Sequence, residues 1–374
     1  MVWGVVDKMR RQRKNKKQVR LVLSLSVCLL LVMTIGYAAF STNLTITGKG
    51  NIVEKSKNIK SWSNTSNEDF HTEFYRKNII NINFINNVSI PSDSVENWDI
   101  SADGRKGVIA YVKFNKDNPE KYDLYIGAKG GVVANQNSGY MFYNFTEVTS
   151  INFNNNFDTS NVTNMISMFQ FCTNLETIDI STFDTANVTN MQNMFGMFNN
   201  TTGTVEENKL TEIIFGEKWS TKNVTQMAQM FAGCKKITTI DVSNWDTSNV
   251  INMGSVFAHC YNLKSVDVSK WNTGNVNDMS WLFMACSNLT SLDLDNWNTS
   301  KVTAMRDMFL GCTKLKSLNL CSFDTRKVSN MYQMFRNTTA ITQIKIGPNF
   351  TTAGADTTNM FFGSGVEAVT TGQC

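Results

Sequence analysis

The residues best able to do chemistry in this chain are cysteines, histidines and a column of acids, and their spacing decides what each can do. Cys172, Cys234, Cys260, Cys286 and Cys312 occupy one register of a repeating pattern. They form no Cys-x-x-Cys pair and no Cys/His cluster, so the spacing predicts no metal ion. They read instead as buried, reduced core thiols. Cys321 stands where earlier repeats carry Ser243 and Ser269, and it reads with Cys374 as an exposed thiol. The only histidines are His71 and His259. His259 precedes Cys260, but neighbours on a helix point apart, so a nucleophilic dyad is not expected. No cofactor motif and no clustered acid, base and nucleophile occur, and the expected role is binding rather than catalysis.

The acids form the second candidate. Asp179, Asp241, Asp267 and Asp293, followed by Asn319 and Lys345, lie between two apolar strand positions of successive repeats. Such a column on a strand face offers an acidic ligand surface. The same column also suits a solvated sheet face whose aspartates satisfy nearby backbone. Asp246, Thr247 and Asn249 and their equivalents read as groups that hydrogen-bond turns.

These positions depend on an internal repeat. Aligned on the position before a recurring Thr, the units start at Asp158, Asp184, Ser220, Asp246, Asn272, Asn298 and Asp324. Successive steps are 26 residues, except one of 36 that contains a polar insertion around Asn199–Asn208. In Trp245–Lys270, Leu263, Val266 and Val268 follow strand alternation. Met253, Val256, Phe257 and Cys260 fall at i, i+3, i+4 and i+7, the stripe of a short helix, with Thr163, Thr189, Thr225, Asn277, Thr303 and Ser329 as helix N-caps in their repeats. An aromatic column (Phe157, Phe183, Trp219, Trp245, Trp271, Trp297 and Phe323) closes the core.

The string Phe157–Ser181, FDTSNVTNM followed by MF, C, L and IDIS at fixed spacing, closely resembles the BspA family of leucine-rich-repeat surface proteins. It is also similar to the domain of unknown function common in mycoplasma surface lipoproteins. The resemblance runs from about Val95 to the C-terminus, with WDIS at Trp98–Ser101 and YDLYIGAKGGVVAN at Tyr122–Asn135. It implies surface adhesion with unlike ligands, and it carries no catalytic residues.

The resulting expectation is an α/β fold: a leucine-rich-repeat solenoid of 26-residue strand–helix units at 154–374, with an N-terminal β-rich cap at 95–153. Residues 41–94 read as a linker or small β element. The net charge of +4 arises in a basic head, residues 1–20, where eight Lys and Arg lie between Lys8 and Arg20. The rest is slightly acidic, so nucleic-acid binding is not expected. Leu21–Phe40 is uncharged and long enough for a bilayer-spanning helix. It reads as a transmembrane anchor with the solenoid outside, or as a signal segment cleaved near Ala38 to release a secreted protein. The expected partner is a protein or glycan on a host or neighbouring cell. A structural coat or spacer without a specific ligand is the alternative, and an enzyme a remote one.

Overall fold

In the computed structural model of the chain, the described residues are 44–46, 52–371 and 374. The chain divides into two compact units, Met1–Lys55 and Ser56–Cys374. In the first, Leu44–Ile46 pairs antiparallel with Ile52–Glu54. The basic head and the apolar run Leu21–Phe40 lie outside the described residues. Among the described residues, no helix is long and apolar enough to cross a membrane, so these residues give the expected single-pass anchor no support.

The second unit opens with a five-stranded sheet in the order Glu96–Asp99, Val108–Phe114, Tyr122–Ala128, Ile79–Ile85, Ser150–Asn152. Ile79–Ile85 runs parallel to both its neighbours, and the other pairs are antiparallel. The sheet thus recruits a strand from the stretch the sequence left open between linker and β element. Its central strands Val108–Phe114 and Tyr122–Ala128 are rich in β-branched and aromatic residues, the types that pack well on a pleated surface. Val108–Val112 is buried throughout. A 3₁₀ turn, Asp69–His71, and a single helical turn, Glu73–Arg76, pack beside it.

This region caps the first repeat. Phe84 meets Phe157 at 4.6 Å, and Phe142 stacks on Phe169 at 5.7 Å. His71, fully buried, faces the Met141 carbonyl through Nε2 at 2.8 Å; a carbonyl only accepts, so Nε2 carries the proton. Its Nδ1 lies 2.9 Å from Asp69, which also pairs with Lys60 at 2.8 Å. Burial works to raise the Asp69 carboxyl, but the His71 and Lys60 contacts outweigh it and hold it below the usual range.

The repeats that follow are not the leucine-rich-repeat solenoid of strand–helix units expected above. The described residues are almost all β and turn, arranged in several small separate sheets. None of the Met–Phe–Cys stretches is helical. The backbone gives the reason. Ser255 and His259 sit at φ of 60° and 63°, and Trp281 and Ala285 at 59° and 58°, left-handed values that no α-helix contains. The N–H groups of Val256, Ala258 and Cys260 donate three residues back, closing overlapping turns. Those of Met253, Ser255, Phe257 and His259 donate instead to Asp278, Ser280, Leu282 and Met284 of the next repeat. Every second amide is therefore spent between repeats, where a helix would spend it internally.

The expected helix caps become cross-repeat ties. The Oγ1 of Thr189 donates to the Thr163 carbonyl, Thr225 to Thr189, and Thr303 to Asn277. A second column, buried Thr159, Thr185, Thr221, Thr247, Thr273 and Thr299, likewise donates to a carbonyl of the following repeat at 2.8–3.0 Å. Inside these ties, Phe169, Phe195, Phe231, Phe257, Phe283, Phe309 and Phe335 stack nearly parallel at 5.6–5.9 Å.

The strand half is discontinuous. Thr177–Ile180 pairs with Glu212–Phe215, and Ser317–Leu320 with Gln343–Ile346, all parallel. In the repeats between, a single bridge joins Thr239 to Ser265. The regular pairs set Asp179 beside Ile214 and Asn319 beside Lys345. In the irregular stretch Asp241, Asp267 and Asp293 succeed one another, and like charges facing across neighbouring strands weaken a sheet. Beyond Gln343–Ile346, Thr370–Thr371 adds a third strand and covers the sheet edge. Cys321 and Cys374 are not exposed thiols: they form a disulfide, with Cα atoms 5.8 Å apart, that fastens the chain beside this strand.

Candidate functional site

The strand-face residues are where the repeat places them, but each is already occupied. Asp179, Asp241, Asp267 and Asp293 are exposed, and Asn319 is half-buried. Asp179 Oδ1 accepts the Ser181 amide, Asp241 the Ser243 amide, Asp267 the Ser269 amide and Asp293 the Asp295 amide, at 2.9–3.1 Å. Asn319 accepts the Cys321 amide and donates to Asp295. These are turn-stabilising bonds two residues ahead. Hydrogen bonds from Ser243 and Ser269 hold Asp241 and Asp267 below their usual carboxylate range, so both are charged at neutral pH; Asp267 pushes back on Asp241.

A pair of substitutions separates the two effects. Asp241→Asn keeps an oxygen for the Ser243 amide and removes a like charge, so its melting temperature should equal or exceed that of the parent. Asp241→Ala loses the bond and should lower the melting temperature by no more than a few degrees. Equal loss in both variants would show that the charge itself stabilises the face.

The five core cysteines are buried and unpaired. Cys172 Sγ donates to the Phe142 carbonyl of the cap, and the other four donate to a backbone carbonyl of the preceding repeat, such as Cys260 to Phe231 and Cys286 to Phe257, all at 3.1–3.3 Å. Burial raises all five thiols: Cys172, Cys260 and Cys312 are pushed up to about 12, and Cys234 and Cys286 well above the ordinary value. His259 does not face Cys260. Its Nδ1 lies 3.1 Å from the Tyr261 hydroxyl, and its ring stacks on Phe198. Among the described residues, no group of three or more His, Cys, Asp or Glu could hold a metal ion.

The arrangement that sequence reasoning missed lies on the turn face. There the 36-residue step returns as a hairpin, Phe198–Asn199 paired with Thr204–Val205, lying over the turns of the following repeats. Asn208 fastens its base, donating to the Gly233 carbonyl at 2.8 Å. Gly233 has φ +82°, and a Cβ there would stand 2.8 Å from Val205 and 3.1 Å from the Phe198 nitrogen, so only glycine admits the hairpin. Asn200 and Gln229 close the other side with two reciprocal amide bonds of 3.1 and 2.9 Å.

Beneath the hairpin is a cleft of about 230 Å³. Phe198, His259, Trp281 and Met284 supply rings and a thioether, and Asn200, Gln229 and Ser255 supply polar edges. No charged side chain lines it. Burial, with Lys235 adding to it, lowers the His259 pKa and leaves the ring uncharged at neutral pH. Outside the cleft, Arg306 lies 4.7 Å over Trp281, 5.5 Å over Tyr332 and in a pair with Asp307. The signal was present in the sequence: the insertion marks the place, and the position two after each repeat's first Met varies from Gln229 to Ser255, Trp281, Asp307 and Gln333.

No curated protein matches the chain. Three overlapping stretches, residues 136–215, 196–292 and 262–366, match the family described as Mycoplasma protein of unknown function, DUF285. They begin where the first turn run starts, follow the repeats and together span more than half of the chain, which therefore belongs to the DUF285 family.

Proposed function

We propose that the protein is a binding module that recognises a protein or glycan partner through the turn face of its repeats, and that it is not an enzyme. One observation carries this reading: a constant interior carries a variable column along the turn face. The interior positions Met227, Met253, Met279, Met305 and Met331 are identical and buried. Two residues on, Gln229, Ser255, Trp281, Asp307 and Gln333 share a left-handed backbone at φ 55–60°. The N–H of each is tied to the next repeat at 2.8–3.0 Å. Asp307 and Gln333 are buried, whereas Gln229, Ser255 and Trp281 are half-buried and reachable; these three start from a fixed backbone, which lowers the ordering cost of binding. The resemblance to the BspA family supports the same reading. The strand face is the weaker surface, because its acids already serve their own backbone.

The test is saturable retention of the full chain on arrays of immobilised matrix proteins and glycans. Retention should be lost in Trp281→Ala/Met284→Ala and kept in Asp241→Asn/Asp267→Asn/Asp293→Asn. The opposite pattern would move the site to the strand face. Absence of saturable binding to any probe would favour a coat or spacer role.

A further inference from the structure

We propose that the cleft beneath the Phe198–Val205 hairpin binds one neutral pyranose ring, stacked against Trp281 and held at its edges by Asn200, Gln229 and Ser255. This deepens the binding reading above and rests on it. Four observations point to that chemistry. First, the floor and walls are aromatic: Trp281, with Phe198 and His259 stacked face to face at 5.2 Å and 11°. A pyranose offers an apolar C–H face to such rings, and aromatic surfaces carry most of the energy in small recognition sites. Second, the rim is made of neutral amides and a hydroxyl. The Asn200–Gln229 pair uses one N–H and one oxygen acceptor site on each amide. Each amide keeps a second N–H and a second acceptor site. Paired donors and acceptors suit hydroxyls, which do both.

Third, the absence of a lining cation or carboxylate disfavours phosphate, sulfate, carboxylate and ammonium ligands, whose burial needs a counter-charge. His259 as an uncharged ring keeps one nitrogen toward Tyr261, and among the described residues its other nitrogen has no hydrogen-bond partner. Fourth, the size fits. At about 230 Å³ the cleft is smaller than the roughly 300–1,000 Å³ of pockets for drug-sized molecules, so it takes one ring and leaves a chain to run out over the turn face. A peptide is less well matched, because a backbone would bring several amides and carbonyls to walls that are mostly apolar.

The experiment uses the full chain and a panel of methyl glycosides (glucoside, galactoside, mannoside and N-acetylglucosaminide), each examined by saturation-transfer NMR and tryptophan fluorescence. At least one glycoside should receive saturation and change the fluorescence. Trp281→Ala should weaken its binding at least 10-fold and remove the fluorescence change. Gln229→Ala, which leaves the rings in place, should weaken it 3- to 10-fold and keep the fluorescence change at saturating sugar. Transfer to none of the glycosides overturns the assignment, as does binding that Trp281→Ala and Gln229→Ala leave unchanged. If the arrays above show saturable binding to a protein while no glycoside binds, the sugar assignment fails and the module reading stands. If neither experiment shows binding, both fail.

Discussion

Phe283→Ala is expected to cost about 3–5 kcal/mol of stability, the range for removing a fully buried phenylalanine. Phe283 has no exposed surface and stacks on Phe257 at 5.6 Å and on Phe309 at 5.9 Å, with Trp297 at 6.4 Å. Truncation empties the middle of this stack and removes three ring contacts, each worth about 0.5–1.5 kcal/mol beyond burial. The surroundings cannot collapse to fill the gap. The Phe283 amide is tied to Met308 at 3.0 Å, and its carbonyl accepts the Cys312 thiol at 3.1 Å. Because repeats stabilise each other through nearest neighbours, the loss should spread to the flanking units. Limited proteolysis should then cut between about Asn252 and Asn330 before any other part of the second unit. Phe362→Ala is the control: that ring is 61 % exposed, and its loss should change the urea midpoint little. A cost under about 1 kcal/mol for Phe283→Ala would show that the stack does not carry the core.

Much of this interior was legible in the sequence. The Trp/Phe, Met and Cys columns are the buried ones, with Trp219 alone half-buried, because only a core demands the same apolar residue at every step. The turn-bonding role of Asp246 and Asn249 was also legible: Asp246 accepts the Ser248 amide, and Asn249 donates to the Lys222 carbonyl. The helix was not, and the reason is physical. A spacing of i, i+3, i+4 and i+7 says which side chains turn inward but not where the amides go. Nested turns with left-handed residues put Met253, Val256, Phe257 and Cys260 inside just as a helix would. Ser255 and Trp281 give no warning of positive φ, since glycine or asparagine is the usual marker. The cost of that conformation is offset by ties to the next repeat, which no single unit displays. The Cys321–Cys374 bond spans 53 residues, and the cleft needs the hairpin laid over later repeats; both are long-range facts.

The second large effect is alkaline instability. All five core thiols have folded-state pKa values raised by burial, three of them to about 12. An unfolded cysteine titrates near 8.5. Below that value both states hold the proton, and the thiols add no pH dependence. Between about pH 9 and 12 the unfolded chain has released its protons and the folded chain has not, so stability falls as pH rises. Each thiol contributes a slope of about 1.4 kcal/mol per pH unit, and five together about 7, enough to unfold an ordinary domain within one to two units. Tyrosines add to this only above about pH 10, where unfolded tyrosine begins to ionise. The urea midpoint should therefore be level from pH 7 to 8 and drop steeply from 9 to 10. Cys260→Ala should be less stable at pH 7, from the lost thiol packing, yet lose about one-fifth of the slope. The same burial silences the thiols chemically. In Cys28→Ser, which removes the one cysteine outside the described residues, Ellman's reagent at pH 8 should find no reactive thiol in the native protein. It should find five after denaturation and seven after reduction of Cys321–Cys374. Native thiols that react as fast as denatured ones, or a stability that stays level from pH 8 to 10, would mean that this column is not sealed in the core.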